Sequence, residues 1–280
     1  MDAVILLNKP AGMTSFDAVR KCRRIFGEKK AGHTGTLDPQ ASGLMIILLG
    51  KYTKYLPFCV KDHKRYHAEF LLGYSTETED IWGATVKEQE PVSHTEEEID
   101  AAVKKLTGTI SQIPPMYSAI KVNGKKLYEY ARKGIEVERA PRTVTVSSLA
   151  VKHLEGNRYS MDAVVSSGTY VRTLITDFAA ELGELGVMSA LVREGIEHLS
   201  LADAATFEEL ENGIALPDPA CVLNPEYHFV EAEDPAAVRN GRRLKLDTPY
   251  DYLFFTEDGL VLAAYSRQED GLFHCERGLL

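Results

Sequence analysis

Short apolar runs alternate with amphipathic stretches along this chain, and the alternation predicts most of its elements. VILLNKP, residues 4–10, is an unbroken apolar run closed by Lys-Pro, the pattern of a buried strand. Residues 44–49, LMIILL, read the same way. Between them, Thr14-Ser15 offers cap chemistry to FDAVRKCRRIFG. There Phe16, Val19 and Ile25 are expected on one apolar helical face, the basic residues on the other, and Gly27 is the stop. KRYHAEFLLGYST, residues 64–76, alternates like a half-exposed strand. Ser93 to Glu98 carries capping chemistry for a helix that runs through Leu106. Residues 108–134 hold a Pro-Pro and an Asn-Gly, which predict an extended segment, a tight hairpin turn at Asn123-Gly124 and a helix over 127–133. TVTVSSLAVKHL and RYSMDAVVSS read as strands, GTYVRTLITDFAAELG as turn then helix ending at Gly183, and 206–212 as a short helix.

The proline-rich LPDPACVLNP, residues 216–225, looks like a boundary, and the tail beyond it is strand- and turn-rich, with signals at Asn240-Gly241 and Glu257-Asp258-Gly259. Strands dispersed among helices without strict βαβ alternation predict an α+β fold on a mixed sheet. The expected division is residues 1–224 and a small β-rich segment, 225–280.

Composition narrows the classes. With 280 residues and 44% apolar side chains the chain can bury a sizeable core. Its longest apolar run, Leu44 to Leu49, is too short to cross a membrane, and an acid at position 2 with no basic flank argues against a secretory signal. Four cysteines with no CxxC pair argue against a zinc site and a disulfide framework, so a reduced, cytoplasmic protein is expected. The net charge of −9 is unevenly spread. Residues 1–66 hold 12 Lys/Arg against 5 Asp/Glu, and residues 101–146 hold 9 against 3. Were these segments to meet in space, they would give an acidic body a basic face that a polyanion can find.

AGHTGTLDPQASG, residues 31–43, invites several chemistries and excludes most of them. It has neither GxGxxG nor GxxxxGK[ST] spacing, so it is not a phosphate loop. His33 has no partner at metal-ligand spacing, and no GxSxG occurs for a serine nucleophile. What remains is one carboxylate, Asp38, whose backbone the following Pro39 biases toward an extended conformation. Taken alone it reads as a turn residue or as a catalyst. Two distant motifs bear on the choice. SSGTYVR is expected to place Tyr170 and Arg172 on the same side of an extended strand end, and an arginine beside a lone acid keeps it ionised. Lys64-Arg65-Tyr66 joins two cations to a ring, a combination that holds phosphate and stacks on a base.

Taken in order, LNKPAGMTS, GHTGTLDPQASG, KRYHAEFLLGYSTETEDIWG, GTISQIPPMYSAIKVNGKKLYEYARKGIEV and SSGTYVRTL resemble the motifs of the TruB family of tRNA pseudouridine synthases, colinearly over residues 7 to about 175. The resemblance implies a pseudouridine synthase fold and a cytoplasmic, stand-alone enzyme that isomerises the T-loop uridine at position 55 of tRNA, with no cofactor, no metal and no obligatory protein partner. It implies Asp38 as the catalytic aspartate, Tyr66 stacking on the flipped uracil, Arg172 pairing with Asp38, and Tyr170 lining the pocket. It also implies His33 on the RNA, Lys9 and Pro10 supporting the loop, and Leu191 near the pocket, while Lys64, by its charge beside Tyr66, is expected on the RNA as well. The family's usual ALRR is here Ala190-Leu191-Val192-Arg193, with one arginine fewer. Attack at C6, attack at C1′ and removal of the 2′ proton each use one carboxylate, and the sequence leaves all three open. The tail resembles a shortened PUA-type RNA-binding domain through VRNGRRLKL and the strands after it. A guide-RNA subunit of the same fold and a tRNA-folding chaperone are the alternative expectations.

Overall fold

The computed structural model describes residues 1–280. In chain order, β1 (Ala3–Lys9) leads into α1 (Ser15–Ile25), β2 (Ala31–His33), β3 (Ser42–Leu49), β4 (Lys64–Leu72), β5 (Tyr74–Thr76) and β6 (Thr85–Glu88). The middle of the chain holds α2 (Glu96–Leu106), β7 (Gly108–Gln112), β8 (Lys121–Val122), β9 (Lys125–Lys126), α3 (Leu127–Ala131), β10 (Arg142–Glu155), β11 (Arg158–Val165), α4 (Val171–Glu181) and β12 (Gly186–Ile196). After β13 (Leu199–Ser200) and α5 (Phe207–Glu211) come β14 (His228–Glu231), α6 (Pro235–Arg239), β15 (Tyr252–Glu257), β16 (Leu260–Arg267) and β17 (Phe273–Gly278). The chain divides into two compact units, one of Met1–Pro39, Gly43–Lys61 and Leu199–Leu280, the other of Gln40–Ser42 and Asp62–His198.

In the first unit β3 pairs antiparallel with β1, Ile5 opposite Ile47, and with the short β2, Gly32 opposite Leu48. The unbroken apolar runs are explained by burial on both faces: every residue of β3 after Ser42 is buried. Helix α1 starts at a capping box, Thr14 Oγ1 accepting from Asp17 N at 3.0 Å while Thr14 N donates back to Asp17. The hydroxyl and backbone N–H of Thr14 hold the Asp17 carboxyl below its ordinary range. The helix lays Ala18, Val19 and Cys22 against Ile5, Leu7, Met45, Ile47 and, from α5, Phe207 and Leu210. Its buried face is therefore 15, 18, 19 and 22, and Phe16, expected with Val19 in the core, stands outward. In the same unit β14 pairs parallel with β15, and β15, β16 and β17 form an antiparallel meander whose first turn uses Asp258 and Gly259, at φ of 50° and 78°.

In the second unit the strand order is β12-β4-β11-β10-β7, antiparallel throughout. Helix α4 packs on β12 and β4, and α2 on β10 and α4. The Asn-Gly pair makes the β8–β9 hairpin as expected, with φ of 50° and 80° at Asn123 and Gly124. The strand β12 was not predicted; it carries two register shifts and the buried Arg193, which break the alternation a strand reading needs.

On α4, burial and the nearby Glu181 push the Asp177 carboxyl up to about 6. Burial pushes Glu79 upward too, against the Thr173 hydroxyl that donates to it at 2.8 Å. Between its unfolded value, about 4, and about 6 the native Asp177 holds a proton that the unfolded chain has released, so its contribution to stability falls as pH rises through that window. Asp177→Asn is expected to stabilise at pH 7.5 by on the order of 1 kcal/mol, because the half-buried carboxylate is still partly screened by water, and to change little at pH 4. Thermal melts at the two pH values check it; an equal gain at both would locate the effect outside titration.

Candidate active site

In the first unit, the Asp38 loop is fixed from both flanks by bonds to backbone. Ser15 Oγ donates to Leu37 O at 3.0 Å and accepts from Leu37 N at 2.9 Å, so α1 clasps the residue before Asp38. Pro39 O, just after it, accepts from Gly12 N at 2.9 Å and from Lys9 Nζ at 3.3 Å. Gly12 turns toward Pro39 at φ 85°, where a side chain would strain the backbone. Lys9 itself is fully buried, its ammonium also donating to Pro10 O at 2.9 Å and Met13 O at 2.8 Å. Asp38 sits half-buried between these two anchors. His33 lies in β2 opposite Ile47, five residues upstream on the same loop.

The second unit holds a ring, a leucine and an anchored helix start. Tyr66 is buried in β4, paired with Ala163 of β11 and Arg193 of β12. Leu191, also buried, is opposite Ala68. Arg193 is 1% exposed, so it lies within the fold and is not a solvent-facing grip on RNA. Of the two cations before Tyr66, Lys64 Nζ donates to Ser167 Oγ at 3.1 Å, whereas Arg65 donates to Glu197 O across Gly195, where a side chain would collide with its guanidinium.

Tyr170 and Arg172 do not sit on a strand end. The chain turns over Ser166–Thr169, Tyr170 caps α4 with φ −102° and ψ 111°, and Arg172 belongs to the first helical turn. The helix wins because Val171, Leu174, Ile175 and Phe178 form an apolar face at helical spacing that burial rewards. Arg172 is 4% exposed and donates to Thr78 O at 2.8 Å and Tyr117 O at 3.0 Å. Gln112 grips the backbone of Tyr170 at both ends, accepting from its N–H at 2.8 Å and donating to its carbonyl at 3.1 Å. Gln112, Thr78 and Tyr117 were not singled out by sequence. For Gln112 the signal was its place at the head of QIPPMYSA; for the two carbonyls there was none, since any residue supplies one.

A family model described as "TruB family pseudouridylate synthase (N terminal domain)" matches residues 23–171. A Bacillus subtilis protein named tRNA pseudouridine synthase B is 46% identical over 287 aligned positions, covering 95% of this chain and 93% of that one. Its namesake from Streptococcus pneumoniae serotype 4 is 41% identical, covering 96% of both. Among solved structures, a Cbf5-Nop10-Gar1 complex contains a chain superposing with a TM-score of 0.74 at 22% identity, over 99% of this chain and 84% of that one, a likeness of fold.

Proposed function

The chain belongs to the TruB family of pseudouridylate synthases, and from that premise we propose that it converts the T-loop uridine at position 55 of tRNA to pseudouridine, unaided by guide or partner. The observation that carries this reading is the Asp38 loop, a single acid pinned on both sides by backbone bonds within a chain 46% identical to a named tRNA pseudouridine synthase. The reaction breaks the N1–C1′ bond, turns the uracil and rejoins it through C5. Nothing is oxidised and no group is donated, so one ionised carboxylate and a shaped pocket suffice.

A uridine in a folded loop is reached by extrusion, which costs a few kcal/mol, and stacking on an aromatic returns about 1–3 kcal/mol. Tyr66 takes that stacking role in this reading, Asp38 the covalent or proton-removing one, and Arg172 holds Asp38 charged. Tyr170 and Leu191 line the pocket, His33 and Lys64 touch the RNA around it, and Lys9 with Pro10 keeps the loop in place. We assign catalysis to residues 1–224 and an accessory, PUA-like role to 225–280, and place the protein in the cytoplasm with tRNA; no helix is long and apolar enough to cross a membrane.

Because the isomerisation leaves mass unchanged, the test is carbodiimide labelling of pseudouridine in a T-arm stem-loop incubated with the purified chain alone. Conversion confined to position 55 is the expected result. Conversion only when a guide RNA or protein partner is added would transfer the chain to the ribonucleoprotein type.

A further inference from the structure

Phe16 is 67% exposed, more than any other large apolar side chain of the protein. It is the second residue of α1, next to Ser15, whose hydroxyl clasps Leu37 beside Asp38. Folding gives it no task. A hydrophobic staple at this helix start would join the residue before the cap, Met13, to the fourth helical residue, Ala18. The buried face of α1 is Ser15, Ala18, Val19 and Cys22.

What the outer face carries is ordered. Phe16, Arg20 and Arg24 follow at four-residue spacing, all exposed, about 6 Å apart along one ridge. Asp17 accepts from Arg20 Nη2 at 2.6 Å, which orients that guanidinium beside Phe16 while engaging one of its five donors. Lys29 and Lys30 extend the positive surface beyond the helix, exposed as well. An outward ring followed by cations at regular intervals is the chemistry of a single-stranded nucleic-acid platform: the ring takes a base face and the cations take phosphates.

We propose that Phe16, Arg20 and Arg24 form an RNA ledge beside the Asp38 loop, Phe16 stacking on a second unpaired base outside the pocket and the two arginines holding phosphates of the same strand. The ledge rests on the pseudouridine synthase reading above, and it deepens that reading by assigning a binding site to α1.

Two measurements on a fluorescent T-arm stem-loop test it: binding by anisotropy across a salt series, and steady-state turnover. Phe16→Ala and Phe16→Leu are each expected to weaken binding roughly 5- to 100-fold, with the loss falling on KM and not on kcat, and Phe16→Tyr to restore it. Leucine keeps apolar bulk and loses only the flat ring. The double variant Arg20→Ala, Arg24→Ala is expected to flatten the slope of log affinity against log salt by about 1.5. Unchanged binding in Phe16→Ala, or full affinity in Phe16→Leu, overturns the stacking role. A wild-type dimer that Phe16→Ala dissociates overturns it in favour of a protein contact. A wild type that binds the stem-loop and forms no pseudouridine counts against the catalytic reading alone, because the binding arm still decides the ledge.

Discussion

Replacing Asp38 with asparagine is expected to abolish pseudouridine formation and leave the fold intact. The loop's shape is set by Ser15 on Leu37 and by Lys9 and Gly12 on Pro39, and none of these bonds uses the Asp38 carboxylate. Asparagine is near-isosteric, so the backbone keeps its course while the one ionised oxygen pair disappears. In our reading that pair is the sole nucleophile or base, and removal of such a group lowers turnover by at least about 10⁴-fold. A substitution away from the core costs little stability, so the melting temperature should move by no more than a few degrees. Carbodiimide mapping of the T-arm product after long incubation gives the activity, and a thermal melt gives the fold. Residual turnover above about one part in a hundred would take the carboxylate out of the chemistry, while a collapsed melt would show that the loop depends on Asp38 for its shape.

How much of this was legible beforehand depended on whether a contact had a side-chain identity. The strands β1 and β3, the capping boxes at Thr14 and Thr95 and the Asn123-Gly124 hairpin were readable because a local rule fixes each one. Phe16 was misplaced because apolar residues at 16, 19 and 25 suggested a face, whereas the helix is held by the smaller Ser15, Ala18 and Cys22 together with Val19. The same reading lost α4's start, where Thr-Tyr-Val looked extended although the apolar spacing from Val171 to Phe178 is helical. The candidate residues were legible as motifs, but what holds them was not. Arg172 is anchored by the carbonyls of Thr78 and Tyr117, and Tyr170 by an amide 58 residues away. Backbone acceptors leave no trace in a sequence, so the scaffold behind Arg172 becomes visible only in three dimensions.

Lys9→Met is expected to produce the largest loss of stability of any single change near the loop, with a loss of activity that follows from it. Methionine replaces the aliphatic stem at similar volume, so packing against β3 survives. The ammonium does not. Its hydrogen bonds to Pro10 O and Met13 O vanish, and Pro39 O keeps only Gly12 N. A fully buried carbonyl left without a donor costs about 1–3 kcal/mol; those of Pro10 and Met13 are partly buried and cost less each, and part of that is offset because a buried charge no longer has to be desolvated. The net expectation is a loss of roughly 2–4 kcal/mol, which for a protein of this size lowers the melting temperature by about 5–15 °C. Turnover measured well below that temperature separates the two consequences. Because Lys9 and Gly12 share the carbonyl next to Asp38, loosening it should lower kcat at least tenfold in protein that is still folded. Lower stability with unchanged kcat would make Lys9 a strut for β1 alone, and an unchanged melt would mean that water replaces the ammonium at all three carbonyls.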